Sequence, residues 1–195
     1  NYLKLYSQVL DGERHFSLIN PSDTKTKYRD LNTRNLLEWD WLFSRFMSKV
    51  KVAFLSERYQ YFENLKTADY FFGEVKTVIA RYDLAYRLSK KMTVNTVFDF
   101  MQHDGNGSDI VERKRQISSG SLLFKHQPWP MFGYELAVRK EVTSNYESPV
   151  LFSGGGRFSP WRWYAFKANV SRNFRIPTFN DLYWQGSGNL DLKPE

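Results

Sequence analysis

The sequence predicts an all-β protein, folded as an antiparallel meander of about ten strands, and three observations support this prediction. Apolar and polar residues alternate with a period of two over most of the 195 residues, which is the pattern of a strand with two unlike faces. Short turns alternate with longer connections rich in Asn, Asp, Gly, Ser and Lys. Aromatic residues make up 17% of the chain, far more than one core needs.

The predicted strands follow one another in hairpins. In chain order they occupy residues 2–9, 15–19, 36–46, 49–62, 77–88, 92–103, 115–125, 131–142, 150–158 and 161–172. The first two are the weakest. In the third, Leu37 and Trp39 fall on one side of an extended chain and Glu38 and Asp40 on the other, whereas a helix would scatter them around its axis.

The alternation is clearest at residues 77–88, where Val78, Tyr82 and Tyr86 oppose Arg81 and Asp83. The later strands repeat it. Apolar positions face away from polar ones in residues 92–103, 131–142 and 161–172. Each of these strands is therefore expected to present one apolar and one charged face.

The connections differ in length at the two ends of the predicted sheet. Tight turns are expected around residues 10–13, 44–48, 89–91, 126–130 and 159–160, and longer loops around 21–34, 63–75, 104–113 and 143–148. Aromatic residues cluster beside the tight turns, as at Trp129, Phe132, Trp161 and Trp163. Outer-membrane barrels show this arrangement. Periodicity alone also fits a soluble β-sandwich that binds carbohydrate or protein, because both folds bury alternate residues.

Composition excludes several classes of function. The chain has no cysteine, and its net charge of +7 is spread out without a nucleic-acid-binding motif, so no nucleic-acid partner is expected. An enzyme is not expected either, because no catalytic motif is present. His103 and Asp104, with Ser108 nearby, fit a solvated turn better than a triad. No cofactor and no metal site are expected.

The last segment carries the most specific signal. NFRIPT at 173–178 and NDLYW at 180–184 precede GNLDLKPE at 188–195. These three linked elements resemble the barrel signature of TonB-dependent outer-membrane receptors, although the family commonly has a proline after the asparagine of GN. With LNTRNLLEWDW and YQYFENL upstream, the chain looks most similar to vitamin-B12-receptor-like and siderophore-receptor-like members.

The resemblance implies a 22-stranded transmembrane β-barrel whose lumen is filled by a plug domain. Residues 1–195 would be an internal segment of that barrel, without the plug and the C-terminal strands. The implied function is active uptake of a scarce nutrient, such as siderophore iron or cobalamin, across the outer membrane of a Gram-negative bacterium. The implied partners are outer-membrane lipid, a small-molecule chelate, and the TonB complex, which would act through the plug.

Three sets of residues follow from this interpretation. The family motif, for which a structural role is favoured, comprises Phe174, Arg175, Pro177, Thr178, Leu182, Tyr183, Gly188, Asn189, Leu192, Lys193, Pro194 and Glu195. Candidate substrate-loop residues are Tyr70, Phe71, Phe72, Arg113, Lys114, Arg115 and Tyr146, beside the aromatic residues Tyr59, Tyr61 and Phe62. Residues expected to face the lumen are Glu38, Asp40, Arg81, Asp83, Arg87, Asp99, Glu135 and Arg139.

Overall fold

A computed structural model describes residues 1–16, 26–144, 146–184 and 186–195. The strands are β1 (Tyr2–Phe16), β2 (Thr26–Leu42), β3 (Phe46–Phe62), β4 (Phe71–Arg87), β5 (Met92–Gly107), β6 (Ile110–Trp129), β7 (Phe132–Thr143), β8 (Val150–Trp161) and β9 (Tyr164–Ser171). One short helix, α1 (Phe179–Tyr183), follows them. Within the described ranges, none of the helical structure has the length and apolar character to cross a membrane.

The nine strands form a single sheet in which the spatial order is the chain order. Every neighbouring pair is antiparallel, from β1 with β2 to β8 with β9. The predicted all-β meander is confirmed. The count is nine rather than about ten because the predicted segments 2–9 and 15–19 join into β1; residues 17–19 lie outside the described residues.

The tight turn expected at residues 10–13 is wrong. Asp11 and Gly12 form a dipeptide that favours hairpin turns, yet Gly12 lies inside β1 and pairs with Asp30. The connection expected at 21–34 is wrong for the same reason, since β2 begins at Thr26; residues 21–25 lie outside the described residues. Pairing with β2 along the whole length of β1 outweighs the local turn preference.

Other strands also extend further than the sequence pattern predicts. Most of the loop expected at 104–113 is strand, because β5 and β6 are joined by Ser108 and Asp109 alone. The turns expected at 126–130 and 159–160 lie instead at 130–131 and 162–163. The longer connections at 63–70 and 144–149 agree with the prediction to within a few residues. Residues 104–107 at the end of β5 are polar or glycine on both faces and carry no period-two signal.

The register assigns each residue to one of two faces, because directly paired residues of antiparallel strands point the same way. Glu38 pairs with Lys51, Lys51 with Arg81, and Arg81 with Asp99. All eight residues that the sequence places on one face do share it, namely Glu38, Asp40, Arg81, Asp83, Arg87, Asp99, Glu135 and Arg139. We call this side of the sheet the polar face.

Ion pairs connect neighbouring strands across the polar face. The Glu38 carboxylate lies 2.9 Å from Lys4 Nζ on β1 and 2.8 Å from Lys51 Nζ on β3. Arg81 Nη1 lies 3.5 Å from Asp99 Oδ1 on the next strand. Pairing of this kind offsets part of the cost of burying the Glu38 carboxylate.

The opposite side, the apolar face, is uncovered. Val78, Tyr82 and Tyr86 on β4 are 37–39% exposed, and the described residues form one sheet with no second layer over it. A sandwich would bury these side chains beneath another sheet. The soluble-sandwich alternative is therefore not supported.

Charged residues on the apolar face lie toward one end of the sheet. On β4 they are Glu74 and Lys76, after which residues 78–86 carry none on this side. On β2 the charge-free stretch is 31–41 and on β3 it is 46–56. Each stretch is about 9 to 11 residues long, which is the length that a tilted strand needs to cross a bilayer.

The charge-free stretches approach the end of the sheet that carries the connections 43–45, 88–91, 130–131 and 162–163, here called the turn end. The opposite end, with connections 63–70, 108–109 and 144–149, is the loop end. Aromatic rings cluster at the turn end, where Phe43 and Phe46 stack at 4.3 Å and Trp161 and Trp163 at 5.7 Å. Trp163 is 80% exposed, as suits an interfacial anchor.

Candidate ligand-binding site

A cavity of about 370 Å³ lies at the loop end, between the sheet and the segment that follows β9. Its size is near the lower limit for pockets that take small ligands. Its aromatic lining comprises Tyr28, Tyr59, Phe72, Phe179 and Trp184, and its polar lining includes Asp30, Asn32, Glu57 and Asn180. Flat aromatic surface with a few polar groups at its edge suits a ligand that is apolar on its faces and polar at its rim.

Two tyrosines form the floor of the cavity. The rings of Tyr28 on β2 and Tyr59 on β3 stack with centroids 5.5 Å apart and planes 11° from parallel. Tyr59 pairs with Gly73 on β4, and a Cβ atom at position 73 would collide with the Tyr59 ring. Gly73 therefore gives Tyr59 room to lie across the sheet.

Two of the four acidic residues that line the cavity, Asp30 and Glu57, have arginine partners. Asp30 lies 2.6 Å from Arg14 Nη2, and Glu57 lies 3.1 Å from Arg34 Nη2. These pairs leave carboxylate oxygens as hydrogen-bond acceptors without strong local negative charge. Carboxylate oxygens paired in this way suit a ligand with amide or hydroxyl donors.

The terminal motif closes on itself through its two ends. The Arg175 N–H donates to the carbonyl oxygen of Glu195 at 2.9 Å, and the Glu195 N–H donates to that of Arg175 at 3.0 Å. The FRIPT and LKPE elements are thus joined by a backbone bridge. The contact accounts for the co-occurrence of these two elements in one motif.

Helix α1 lies between those ends, although the sequence pattern predicted no helix here. Thr178 is its N-cap and forms a capping box with Asp181. The hydrogen bonds that Asp181 accepts from Thr178, chiefly from its backbone N–H, lower the pKa of the Asp181 carboxyl group. Capping of this kind satisfies the free N–H groups of a first turn.

The GN element packs against α1. The Gly188 N–H donates to the Trp184 carbonyl oxygen at 2.6 Å, and the Asn189 N–H donates to that of Asp181 at 2.9 Å. A Cβ atom on Gly188 would lie 2.7 Å from the Leu182 oxygen, so only glycine fits. Leu182 itself is buried. These contacts agree with a structural role for the motif.

Two arginines of β6 hold α1 on the polar face. The Arg113 guanidinium lies 4.8 Å from the centroid of the Tyr183 ring, and that of Arg115 lies 4.7 Å from the Phe179 ring. Residues two apart on a strand face are about 6.6 Å apart, and residues four apart on a helix about 6 Å. The two cation–π pairs form together because these spacings match.

The remaining candidate substrate residues are only partly brought together. Phe72 lines the cavity, and Tyr70 packs against it with ring centroids 6.4 Å apart. Phe71 is exposed at the start of β4, and Tyr146 lies between β7 and β8. The structure does not bring these last two to the cavity floor.

Arg113 lies in β6 and not in the loop expected at 104–113, and Lys114 and Arg115 follow it in the same strand. Their charged segment extends the strand beyond its apolar part, where polar side chains on both faces hide the alternation. Lys114 points to the opposite side from the two arginines, with its Nζ 3.9 Å from Asp104 Oδ1.

His103, Asp104 and Ser108 do not form a triad. His103 and Asp104 are consecutive residues of β5 and therefore point to opposite faces. The His103 ring is hydrogen-bonded to Thr77 Oγ1 at 3.0 Å, and Ser108 Oγ accepts a hydrogen bond from the Phe72 N–H.

Comparison with known proteins gives two curated relatives. One, from Photobacterium profundum, is named vitamin B12 transporter BtuB and is 64% identical over 129 residues, 63% of this chain and 21% of the relative. The other, with the same name and from Vibrio vulnificus, is 38% identical over 61 residues, 31% of this chain and 10% of the relative. No protein-family model matches the chain.

The resemblance to TonB-dependent outer-membrane receptors is confirmed. With it goes a location in the outer membrane of a Gram-negative bacterium. The chain spans about a fifth of one curated relative and a tenth of the other. Both relatives are named as transporters, in agreement with the expectation that the chain is not an enzyme.

Several residues of the cavity are not indicated as site residues by the sequence pattern. Tyr28 and Asp30 lie in the stretch 21–34, where the pattern predicts a loop. Trp184 belongs to the NDLYW element, for which a structural role is favoured, and Phe179 lies between two motif elements. A readable signal did exist for α1, since Thr178 and Asp181 stand at capping-box spacing directly after Pro177.

Proposed function

We propose that the chain is a barrel segment of a TonB-dependent receptor that imports vitamin B12 across the outer membrane. The single observation that carries the proposal is the two-faced sheet, in which an uncovered apolar face lies opposite a charged polar face. The name of the two relatives supports the substrate.

In this proposal the apolar face meets lipid and the polar face lines the lumen. A charge on the lipid side costs about 2 to 4 kcal/mol near the bilayer midplane, which accounts for the charge-free stretches. Water and the polar surface of a plug domain would solvate Glu38, Arg81 and Arg139 on the other side. Energy for transport would reach the substrate through the TonB complex acting on that plug.

The loop-end cavity is the proposed contact for the substrate. Cobalamin is larger than 370 Å³, so the cavity would hold one edge of the corrin while other parts of the receptor hold the rest. The stacked Tyr28 and Tyr59 rings would contact its flat apolar surface. Asp30 and Asn180 would accept hydrogen bonds from its peripheral amide groups.

Uptake by the full-length receptor tests the proposal. The receptor is expressed in a Gram-negative strain that lacks its own vitamin B12 receptor, and uptake of radiolabelled cyanocobalamin is measured. Uptake above the empty vector is expected. If the cells instead take up only a ferric siderophore, or neither compound, the proposed substrate is wrong.

A matched pair of variants tests the cavity. Replacing one stacked aromatic removes a contact of about 0.5 to 1.5 kcal/mol, so Tyr59→Ala should weaken cyanocobalamin binding about 2- to 10-fold. Tyr6→Ala serves as the control, because Tyr6 lies on the polar face of β1 outside the cavity lining. Equal binding by both variants would show that this cavity does not hold the vitamin.

A further inference from the structure

Arg115 is the most deeply buried cation of the polar face in the described part of the chain. Only 6% of its surface is exposed. Its Nη1 donates to the carbonyl oxygen of Pro177 at 2.8 Å, and its guanidinium stacks on Phe179. The other two nitrogens, Nε and Nη2, are buried without a hydrogen-bond acceptor among the described residues.

Those two nitrogens form one edge of the guanidinium fork. Their N–H bonds run parallel, which is the geometry that binds two oxygens of a carboxylate, sulfate or phosphate group at once. Leaving such donors unpaired in a buried position costs free energy. The edge is therefore a preformed half of an oxyanion site.

The acidic groups near Arg115 do not pair with it. None of the ion pairs among the described residues includes it, and its partner across the register is His103. Asp104 belongs to the other face and lies beside Lys114. Asp181 is engaged in the capping box of α1.

We propose that Arg115 binds the oxyanion group of a diffusible ligand, and that α1 moves aside to admit it. The unpaired edge is covered in this structure, so an anion reaches it only when the terminal segment lifts. β6 contacts α1 through two cation–π pairs, and Arg115 donates one hydrogen bond to Pro177 just before the helix.

The same helix links this site to the ligand cavity. Phe179 stacks on Arg115 and also lines the cavity, together with Trp184. A ligand that enters the cavity therefore contacts the element that covers Arg115. The oxyanion site does not require that the substrate be vitamin B12, so it can be tested apart from transport.

Nitroxide mobility at position 180 provides the test. Asn180 is exposed on α1, and the chain has no other cysteine, so Asn180→Cys in the full-length receptor in detergent gives a labelling position that is unique within this segment. Potassium sulfate and potassium acetate are titrated in separate arms against potassium chloride at equal ionic strength. The measured quantity is the mobile fraction of the label in the electron paramagnetic resonance spectrum.

With wild-type Arg115, the label is expected to be immobilised in chloride and to become mobile with a saturable response to sulfate or acetate. The preferred anion identifies the oxyanion as tetrahedral or carboxylate. Arg115→Gln should raise the half-saturating concentration about tenfold or more, which is the loss of one charge-assisted interaction. Arg115→Lys, which keeps the charge but not the fork, should also weaken the response.

Arg113→Gln is the matched control, because Arg113 also contacts α1 through an aromatic ring but has no buried unpaired edge among the described atoms. It should loosen the label in chloride and keep the anion response. The proposal is overturned if the label is already mobile in chloride, if mobility follows ionic strength alone, or if the saturable response survives in Arg115→Gln.

Discussion

An arginine placed on the apolar face should destabilise the receptor by an amount that depends on its position along the strand. Tyr82 and Tyr86 both lie on β4, on the same face, with exposed fractions of 37% and 39%. Tyr82 is at the centre of the charge-free stretch 78–86, and Tyr86 is at its end. The two positions therefore differ in their depth in the proposed bilayer, while both carry tyrosine with nearly the same exposure.

The magnitude follows from the geometry of the strand. The stretch covers about 26 Å along β4 at about 3.3 Å per residue, or about 20 Å along the bilayer normal at the usual tilt. Tyr82 then lies near the midplane and Tyr86 near the interface. Tyr82→Arg should lower the free energy of unfolding by about 2 to 4 kcal/mol, and Tyr86→Arg by about 0 to 1 kcal/mol.

The assay is a guanidinium titration of the full-length receptor folded in lipid vesicles, followed by tryptophan fluorescence. Tyr82 also accepts a hydrogen bond from Ser48 Oγ at 3.2 Å, so Tyr82→Phe measures that loss separately, at about 1 kcal/mol. Equal costs for the two arginine variants, or a larger cost at position 86, would refute the assignment of this face to lipid.

Three further predictions concern the cavity and the terminal motif. Gly73→Ala should displace the Tyr59 ring and weaken cyanocobalamin binding of the full-length receptor, while its mobility on unheated gels stays that of the folded barrel; unchanged affinity would contradict the proposed cavity floor. Gly188→Ala should loosen α1, because its Cβ would lie 2.7 Å from the Leu182 oxygen and the Trp184 nitrogen. Gly186→Ala, at φ 85° with open space around it, should lower the stability of this segment by only about 1 to 2 kcal/mol. Limited proteolysis of the two variants, Gly188→Ala and Gly186→Ala, compares how far each loosens α1. Because the folded-state pKa of Asp181 is lowered, its capping contribution should be complete above the ordinary aspartate pKa and be lost as the pH falls through the lowered value. The nitroxide label at position 180 should therefore become mobile in acid, and Asp181→Asn should remove this acid sensitivity. A variant as acid-sensitive as wild type would assign the effect to another group.

The faces of the sheet could be predicted from the sequence, and the lengths of its strands could not. An apolar face, here proposed to meet lipid, imposes alternation on residues 78–86, so the pattern places Arg81 and Asp83 on one common face, as the register does. Beyond such a stretch both faces are polar, and the pattern no longer distinguishes strand from loop. Arg113 lies in such an extension, where β6 pairs with β5. At Gly12 the Asp-Gly turn signal is outweighed by the pairing of β1 with β2.

The cavity depends on contacts that no local pattern records. Tyr28 and Trp184 line the same cavity because the segment that carries α1 folds back over the polar face of the neighbouring strands. α1 is held over the polar face because the spacing of Arg113 and Arg115 on β6 matches the spacing of the two aromatic rings of α1. The capping box at Thr178 was readable, but the surface that receives the helix follows only from the register of the sheet.

The central claim is that the two faces of this sheet meet lipid and water. Nitroxide labels placed singly at each position from 78 to 87 in the full-length receptor, reconstituted in vesicles, test it through collision with oxygen and with a water-soluble nickel chelate. Oxygen accessibility should be highest at the even positions, including 82, and nickel accessibility at the odd ones, including 81 and 83. Equal accessibility at neighbouring positions, or the opposite phase, would contradict the account.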